Sequence, residues 1–105
     1  TYPNTNVIRL AWSGEIKNLM HFFSKQTIRV NAVSPGIILT DYHINRIKEK
    51  AAKNRLTYDQ QLEQETNHIP SKAYGTTLDV AHLVSFLLSS TSNHLNGVNI
   101  ALDGG

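Results

Sequence analysis

The clearest pattern in the chain is an alternation of apolar and polar residues that ends at a proline. The apolar positions fall on every second residue, at Ile28, Val30 and Ala32. This period predicts a buried strand over Ile28–Ser34. Because proline has no N–H to donate to a sheet, the strand should end at Pro35, and Gly36 after it permits a close approach of the backbone to a ligand. Open α/β sheets bind their ligands at this end of a strand.

An amphipathic helix is predicted ahead of this strand. Its apolar residues recur with helical spacing at Ile8, Trp12, Ile16, Leu19 and Phe23. Further apolar residues widen the stripe, namely Val7, Ala11, Met20 and Phe22. A helix that is apolar over so much of its circumference should pack against neighbours on two sides.

Two shorter and more polar helices are predicted after the strand. The first covers Asp41–Arg55, and its thin apolar edge consists of Ile44, Ile47 and Ala51. The second begins after Thr57, because Gln60 lies three residues further on and the two side chains can form a capping box.

A third helix and a last strand complete the pattern. Thr76 and Asp79 should cap the helix, whose apolar stripe is formed by Val80, Leu83, Val84, Leu87 and Leu88. Residues 89–96 are turn-forming. After Gly97, apolar residues return at every second position, at Val98, Ile100 and Leu102.

This order of elements predicts a parallel α/β sheet. Two strands joined by a helical crossover should lie parallel. A two-stranded parallel sheet is marginal by itself, since parallel sheets normally have more strands and are covered on both faces. We therefore interpret residues 1–105 as part of a larger doubly wound α/β domain. The sequence has no G-x-G-x-x-G motif, which would cradle a pyrophosphate.

Composition narrows the chemistry. The 105 residues include no cysteine, so disulfides, thiolate catalysis and cysteine-based zinc sites are excluded, and a reducing, cytoplasmic compartment is expected. A formal charge of +2 is too small to predict nucleic-acid binding, and no apolar run is long enough to predict a membrane span. The five histidines show no metal-ligand spacing, so we expect no metal site.

Three runs of the sequence resemble the short-chain dehydrogenase/reductase family. They are IRVNAVSPGIILT at 28–40, AYGTTLDVAHLVSFLLSS at 73–90 and HLNGVNIALDGG at 94–105, which resemble the family's penultimate strand and turn, its last helix, and its last strand with the Asp-Gly-Gly ending. The resemblance implies that residues 1–105 are the C-terminal part of a single NAD(P)-binding, doubly wound Rossmann-like domain. It also implies hydride transfer between NAD or NADP and a carbonyl or alcohol carbon.

The resemblance also implies a set of cofactor-binding residues. In the family, the backbone and the hydroxyl of the strand-turn motif hold the nicotinamide end of the cofactor and its phosphates. The matching positions here are Pro35, Gly36, Ile38 and Thr40, and Ile37 borders them. The alternative is a turn that only ends the strand.

The family's catalytic positions are substituted in this chain. The family has a catalytic tyrosine and lysine at the start of the helix before this strand. Counting back from Ile28 by the family's usual helix length places the tyrosine position at Thr5 and the lysine position at Arg9. An aliphatic alcohol is a far weaker acid than a phenol, and a guanidinium does not release a proton, although Arg9 retains the ability to hold ribose hydroxyls or a phosphate. The alternatives are a helix cap at Thr5 and a solvated Arg9. Tyr2 is the phenol nearest to Thr5 in the sequence and is a candidate for the general acid. A Tyr2→Phe substitution would test this role.

The run YPNTNVIR at 2–9 resembles a divergent branch of the family. In that branch a Pro-Asn motif precedes Ser-x-x-x-Arg, and its members are described as 3-oxoacyl-[acyl-carrier-protein] reductases. The resemblance therefore implies a 3-oxoacyl thioester as one candidate substrate. The rival interpretation is a relative that has lost catalysis and serves as a cofactor-binding or structural protein.

Partners are implied by the same resemblance. The family forms dimers and tetramers through its long first helix and through its last helix and strand. In this chain the last helix and strand contribute 83–88 and 98–102 as candidate interface elements. For the first helix, the alternative is burial within one larger domain. Five cations follow one another closely, at Arg46, Lys48, Lys50, Lys53 and Arg55. They are a candidate surface for an acyl carrier protein, or simply a solvated face.

The resemblance also implies a role for the two short helices that are predicted at Asp41–Arg55 and after Thr57. In the family, the segment that holds them covers the substrate.

Overall fold

The computed structural model describes the backbone of residues 3–105 and the side chains of residues 7, 8 and 10–105. The helices are α1 Pro3–Phe22, α2 Asp41–Asn54, α3 Tyr58–Thr66 and α4 Thr77–Leu88. The strands are β1 Ala32–Pro35, β2 Ile38–Leu39, β3 Gly75–Thr76 and β4 Asn99–Leu102. Short 3₁₀ turns occur at Ser24–Gln26 and Ser90–Ser92.

The chain divides into two compact units. The first consists of the residues up to Ser34 together with Val84–Ile100, and the second consists of Pro35–Leu83 together with Ala101–Gly105. Helix α1 belongs to the first unit and helices α2 and α3 belong to the second, whereas α4 has residues in both.

Strands β1 and β4 pair in parallel, as predicted. In the first unit the Ala32 N–H donates to the Val98 carbonyl at 2.8 Å. In the second unit the Gly36 N–H donates to the Leu102 carbonyl at 3.0 Å. Both segments advance in the same direction between these bonds, which is the parallel arrangement. The predicted alternation along β4 is also present, since Ile100 and Leu102 are half-buried and the residues beside them are exposed.

The start of β1 differs from the prediction. The strand ends at Pro35 as expected, but it begins at Ala32 and not at Ile28. The Val30 N–H donates to the side-chain oxygen of Asn96 at 2.9 Å, so a carboxamide replaces the strand carbonyl at this point. The segment is therefore anchored without forming a regular sheet ladder.

Arg29 anchors the end of α4 in the first unit. Its guanidinium donates to four main-chain carbonyls, those of Leu87 (3.0 Å), Ser89 (3.3 Å), Ser92 (2.8 Å) and Leu95 (3.5 Å). The last carbonyls of a helix lack partners within the helix, so a guanidinium with five donors is well suited to this position. The sequence pattern identified Arg29 only as a polar position in an alternation.

The two shorter helices form the core of the second unit. Ile47 is 2% exposed and Ala51 is 4% exposed, which confirms the predicted apolar edge of α2. The facing surface of α3 is partly polar, because Gln61 and Thr66 are also buried. The predicted capping box between Thr57 and the third helical residue of α3 is present.

The first helix buries one side in this chain. Ile16 is 8% exposed. Large apolar side chains on the rest of the helix are exposed, namely Val7, Ile8, Leu10, Trp12 and Phe22. The predicted packing on two sides is therefore present on one side only. None of the helices in the described range is long and apolar enough to cross a membrane.

Candidate functional site

The predicted cofactor turn, Pro35–Thr40, connects β1 to α2 in the second unit. Pro35, Gly36 and Ile37 are exposed, and Ile38 is half-buried in the short strand β2. These three exposed residues follow the end of a strand, where ligands of open α/β sheets bind.

Gly36 lies directly against the end of β4. A Cβ atom built on Gly36 would stand 2.8 Å from the Asp103 Cβ and 2.9 Å from its Cα. Contacts this short do not occur between real side chains, and the neighbour is backbone that cannot move aside. From the sequence, we explained the glycine at position 36 by a close approach of the backbone to a ligand. The structure gives another reason for a glycine here, which is the closeness of Asp103.

A neighbouring strand fixes the middle of the turn. The Gly75 N–H donates to the Ile37 carbonyl at 3.0 Å, and Ile38 pairs with Gly75 in parallel strands β2 and β3. A Cβ atom on Gly75 would stand 2.7 Å from the Ile38 Cδ1. Sequence reasoning missed this pairing, because two-residue strands carry no alternating pattern.

Thr40 has a structural role and an available hydroxyl. It is the N-cap of α2, where its Oγ1 accepts from the His43 N–H at 3.4 Å, and the His43 Nδ1 also lies 3.4 Å from this oxygen. Hydrogen bonds of this length are weak. The Thr40 hydroxyl can therefore turn toward a ligand at a small cost to the helix.

The C-terminal Asp-Gly-Gly packs beside the turn. The Ser71 N–H donates to the Gly104 carbonyl at 3.0 Å, and the Gly105 N–H donates to the Asp103 Oδ1 at 3.0 Å. Gly104 has a φ of +78°, a backbone angle that residues other than glycine rarely adopt. These contacts give the ending a packing role that the sequence pattern did not predict.

A cluster of polar side chains joins α2, α3 and the segment before β3. The Glu65 carboxylate accepts from Lys50 Nζ at 2.9 Å, from Gln61 Nε2 at 2.8 Å and from the Tyr74 hydroxyl at 3.1 Å. Asn54 extends it, because its Nδ2 donates to the Gln61 Oε1 at 2.8 Å. We call Lys50, Gln61, Glu65 and Tyr74 the Glu65 cluster.

Protonation in the Glu65 cluster follows from these contacts. Burial opposes the charged form of Glu65, but hydrogen bonds from Lys50, Gln61 and Tyr74 outweigh it and hold the pKa of Glu65 below its ordinary value. Burial, together with the hydrogen bond and the negative charge of Glu65, raises the pKa of Tyr74. Glu65 is thus ionised and Tyr74 is neutral at physiological pH.

The Glu65 cluster includes one of the five predicted cations. The Lys50 ammonium is paired with Glu65, while its side chain stays 44% exposed. The other four cations are exposed, namely Arg46, Lys48, Lys53 and Arg55. Arg46 lies 6.0 Å from the centroid of the Tyr42 ring, a cation–π distance.

Tyr2 and the side chains of Thr5 and Arg9 lie outside the described residues, so their roles stay predictions. Within the described part of the chain, no group of three or more acidic or histidine side chains could hold a metal ion.

Comparison with known proteins identifies the family. The family model described as enoyl-(acyl carrier protein) reductase matches residues 1–105. The chain belongs to the short-chain dehydrogenase/reductase family. The resemblance of the three sequence runs is thereby confirmed.

Two curated relatives of the short-chain type show the range of the match. The NADPH-dependent reductase BacG of Bacillus subtilis is 32% identical over 89 residues, which cover 85% of this chain and 34% of that protein. The 3-oxoacyl-[acyl-carrier-protein] reductase FabG of Rickettsia bellii is 34% identical over 92 residues, which cover 88% of this chain and 34% of that protein. The chain spans about a third of the length of these relatives.

A solved short-chain reductase confirms the fold class. The structure of L-sorbose reductase from Gluconobacter frateurii, complexed with NADPH and L-sorbose, is 31% identical and has a TM-score of 0.83. The match covers 95% of this chain and 38% of that one. The chain therefore has the doubly wound, Rossmann-like α/β fold and represents part of it.

Proposed function

We propose that residues 1–105 are the C-terminal part of a single NAD(P)-binding domain, and that the full-length protein transfers hydride between NAD or NADP and a carbonyl or alcohol substrate. Membership of the short-chain family supports this reaction class. The main structural support is the Pro35–Thr40 turn, which places exposed residues and one hydroxyl at the carboxyl end of β1.

The residues of the turn fit a nicotinamide cofactor. Pro35, Gly36 and Ile37 are exposed, so a ligand can reach this part of the turn. The backbone of Pro35–Ile38 and the Thr40 hydroxyl would hold the nicotinamide end and its phosphates, and Arg9 would hold ribose hydroxyls or a phosphate. The bound nicotinamide supplies the hydride.

Thr5 and Arg9 are the proposed catalytic positions. At these family positions the Thr5 hydroxyl would donate a hydrogen bond to the substrate oxygen, and the Arg9 guanidinium would hold ribose hydroxyls or a phosphate without releasing a proton. A 3-oxoacyl thioester is the proposed substrate class, because the FabG relative is a 3-oxoacyl-[acyl-carrier-protein] reductase.

Titration of the full-length protein with NADPH and NADH tests the cofactor site. Thr40→Ala should weaken binding by about tenfold, since it removes one hydrogen bond to a charged or polar group. Thr57→Ala is the matched control, because it also removes a threonine N-cap but lies in α3, outside the turn. Equal affinity of wild type and Thr40→Ala would contradict the site.

The alternative function is a relative that binds the cofactor without turnover. The substitutions at Thr5 and Arg9 motivate this alternative. Assays of the full-length protein with a panel of ketones and 3-oxoacyl thioesters distinguish the two. Cofactor binding without turnover of any substrate in the panel would favour the alternative.

We also propose an acyl carrier protein as a partner. Four exposed cations on and just after α2 support this, because an acidic partner would be attracted to them. Lys53→Glu should weaken binding of the carrier protein, and Lys25→Glu, an exposed lysine far from α2 in the sequence, is the control. Binding that does not weaken with added salt would contradict an electrostatic surface.

A second copy of the protein is the proposed partner of α1. Exposed apolar side chains such as Leu10 (73%) and Trp12 (60%) support an interface. The competing explanation is that the rest of the domain covers them. Sedimentation of the full-length protein separates these explanations, because a dimer or tetramer is expected for the interface and a monomer for the internal contact.

A further inference from the structure

Tyr74 lies at a junction between two parts of the second unit. On one side its hydroxyl donates to the Glu65 Oε2 in α3 at 3.1 Å. On the other side the next residue, Gly75, donates its N–H to the Ile37 carbonyl at 3.0 Å. Two consecutive residues therefore contact the candidate substrate helices and the candidate cofactor turn.

The contact on the helix side is strong for its kind. Tyr74 is 9% exposed, and its acceptor is a carboxylate with a side-chain exposure of 18%. A hydrogen bond to a charged acceptor in a partly buried place is stronger than one between neutral groups. Glu65 itself is held by Lys50 and Gln61, so Tyr74 binds a carboxylate whose position is already fixed.

The contact on the turn side leaves little freedom. Ile38 and Leu39 of β2 pair in register with Gly75 and Thr76 of β3. A shift of the turn therefore carries β3 with it, and the Tyr74 hydroxyl moves because Tyr74 directly precedes β3. A displacement of this hydroxyl by about 1 Å would break a bond of ordinary length.

We propose that Tyr74 is a positioning residue that couples occupancy of the Pro35–Thr40 turn to the position of α3, through Glu65. This inference rests on the proposed function, since it assumes that the turn holds the cofactor. A cofactor on the turn fixes the β2–β3 register, fixes the Tyr74 hydroxyl against Glu65 and so orders the helices that the family places over the substrate.

Hydrogen–deuterium exchange on the full-length protein tests the coupling. In the wild type, NADPH should slow amide exchange both in the turn and in α3. In Tyr74→Phe, NADPH should still slow exchange in the turn, but its effect on α3 should fall by about tenfold, the value of one charge-assisted hydrogen bond. A merely structural role would speed exchange in α3 equally with and without NADPH.

Two further variants complete the test. Tyr58→Phe removes a hydroxyl from α3 that has no hydrogen bond to any residue in the described range, and it should behave as the wild type. Glu65→Leu removes the acceptor instead of the donor and should reproduce the loss seen in Tyr74→Phe. If α3 responds to NADPH equally in wild type and Tyr74→Phe, the coupling is wrong. If NADPH leaves the wild-type turn unaffected, the proposed function fails first.

Discussion

Gly36 and Asp103 are in closer contact than any two residues with side chains could be. The positions of a Gly36 Cβ and the Asp103 Cβ would be 2.8 Å apart, and the Gly36 N–H donates to the carbonyl of Leu102 just before it. The Pro-Gly turn and the Asp-Gly-Gly ending, two motifs distant in sequence, therefore depend on each other. The family resemblance identified both motifs but did not explain why they occur together.

Gly36→Ala should destabilise the full-length protein. The added methyl group meets the Asp103 backbone, and overpacking of this kind costs about 1–3 kcal/mol. The free energy of unfolding, measured by urea denaturation, should fall by that amount. Gly14→Ala is the control, because a Cβ there meets nothing within 4 Å and α1 should gain about 0.5–1 kcal/mol. Equal stability of Gly36→Ala and the wild type would contradict the close contact.

Arg29→Lys should also lower stability. Lysine keeps the charge, but its single ammonium cannot reach the four carbonyls that the guanidinium binds around the end of α4. We expect a loss of about 2 kcal/mol, since several hydrogen bonds to carbonyls near the buried Ser92 become unsatisfied. Thermal unfolding measures this loss. Arg55→Lys is an exposed arginine-to-lysine control and should change stability by less than about 0.5 kcal/mol.

Asn96→Leu should weaken the entry into β1. The Asn96 side-chain oxygen is the acceptor of the Val30 N–H, and leucine leaves that half-buried donor without a partner. The expected loss of stability is about 1–3 kcal/mol. Asn93→Leu, at an exposed position in the same turn region, is the control for a change of polarity alone. Equal losses in both variants would show that the carboxamide bond is not the cause.

The sequence predicted the regular parts of the fold and missed the contacts that hold them. The apolar edge of α2, the capping box at Thr57 and the strand end at Pro35 follow from local chemistry, so local patterns found them. The start of β1 was predicted at Ile28 because the alternation begins there. In the structure, the side chain of the distant Asn96 accepts the Val30 N–H in place of a strand carbonyl. Such a replacement leaves no local signal.

The same reason explains what was missed in the site. The pairing of Lys50 with Glu65 was missed, because Glu65 is fifteen positions away and on another helix. Tyr74 lies in a segment without periodicity. Its role depends on Glu65 in α3 and on the pairing of the next residue with the turn, and a single sequence gives neither.

The Glu65 cluster should make stability depend on pH in the acidic range. The pKa of Glu65 is held below its ordinary value of 4.5, so the folded protein binds this proton less readily than the unfolded chain. The stabilisation is therefore present above pH 4.5 and is lost as the pH falls through the lower folded pKa.

In Glu65→Gln, urea unfolding should show a loss of about 1–3 kcal/mol at neutral pH. The variant should also show a shallower decline in acid than the wild type. Glu63→Gln, at an exposed position on α3, is the control and should keep the wild-type pH dependence. If Glu65→Gln declines as steeply as the wild type, the acid sensitivity arises from other carboxylates, such as Asp79, whose pKa is lowered by hydrogen bonds from the hydroxyl and the N–H of Thr76.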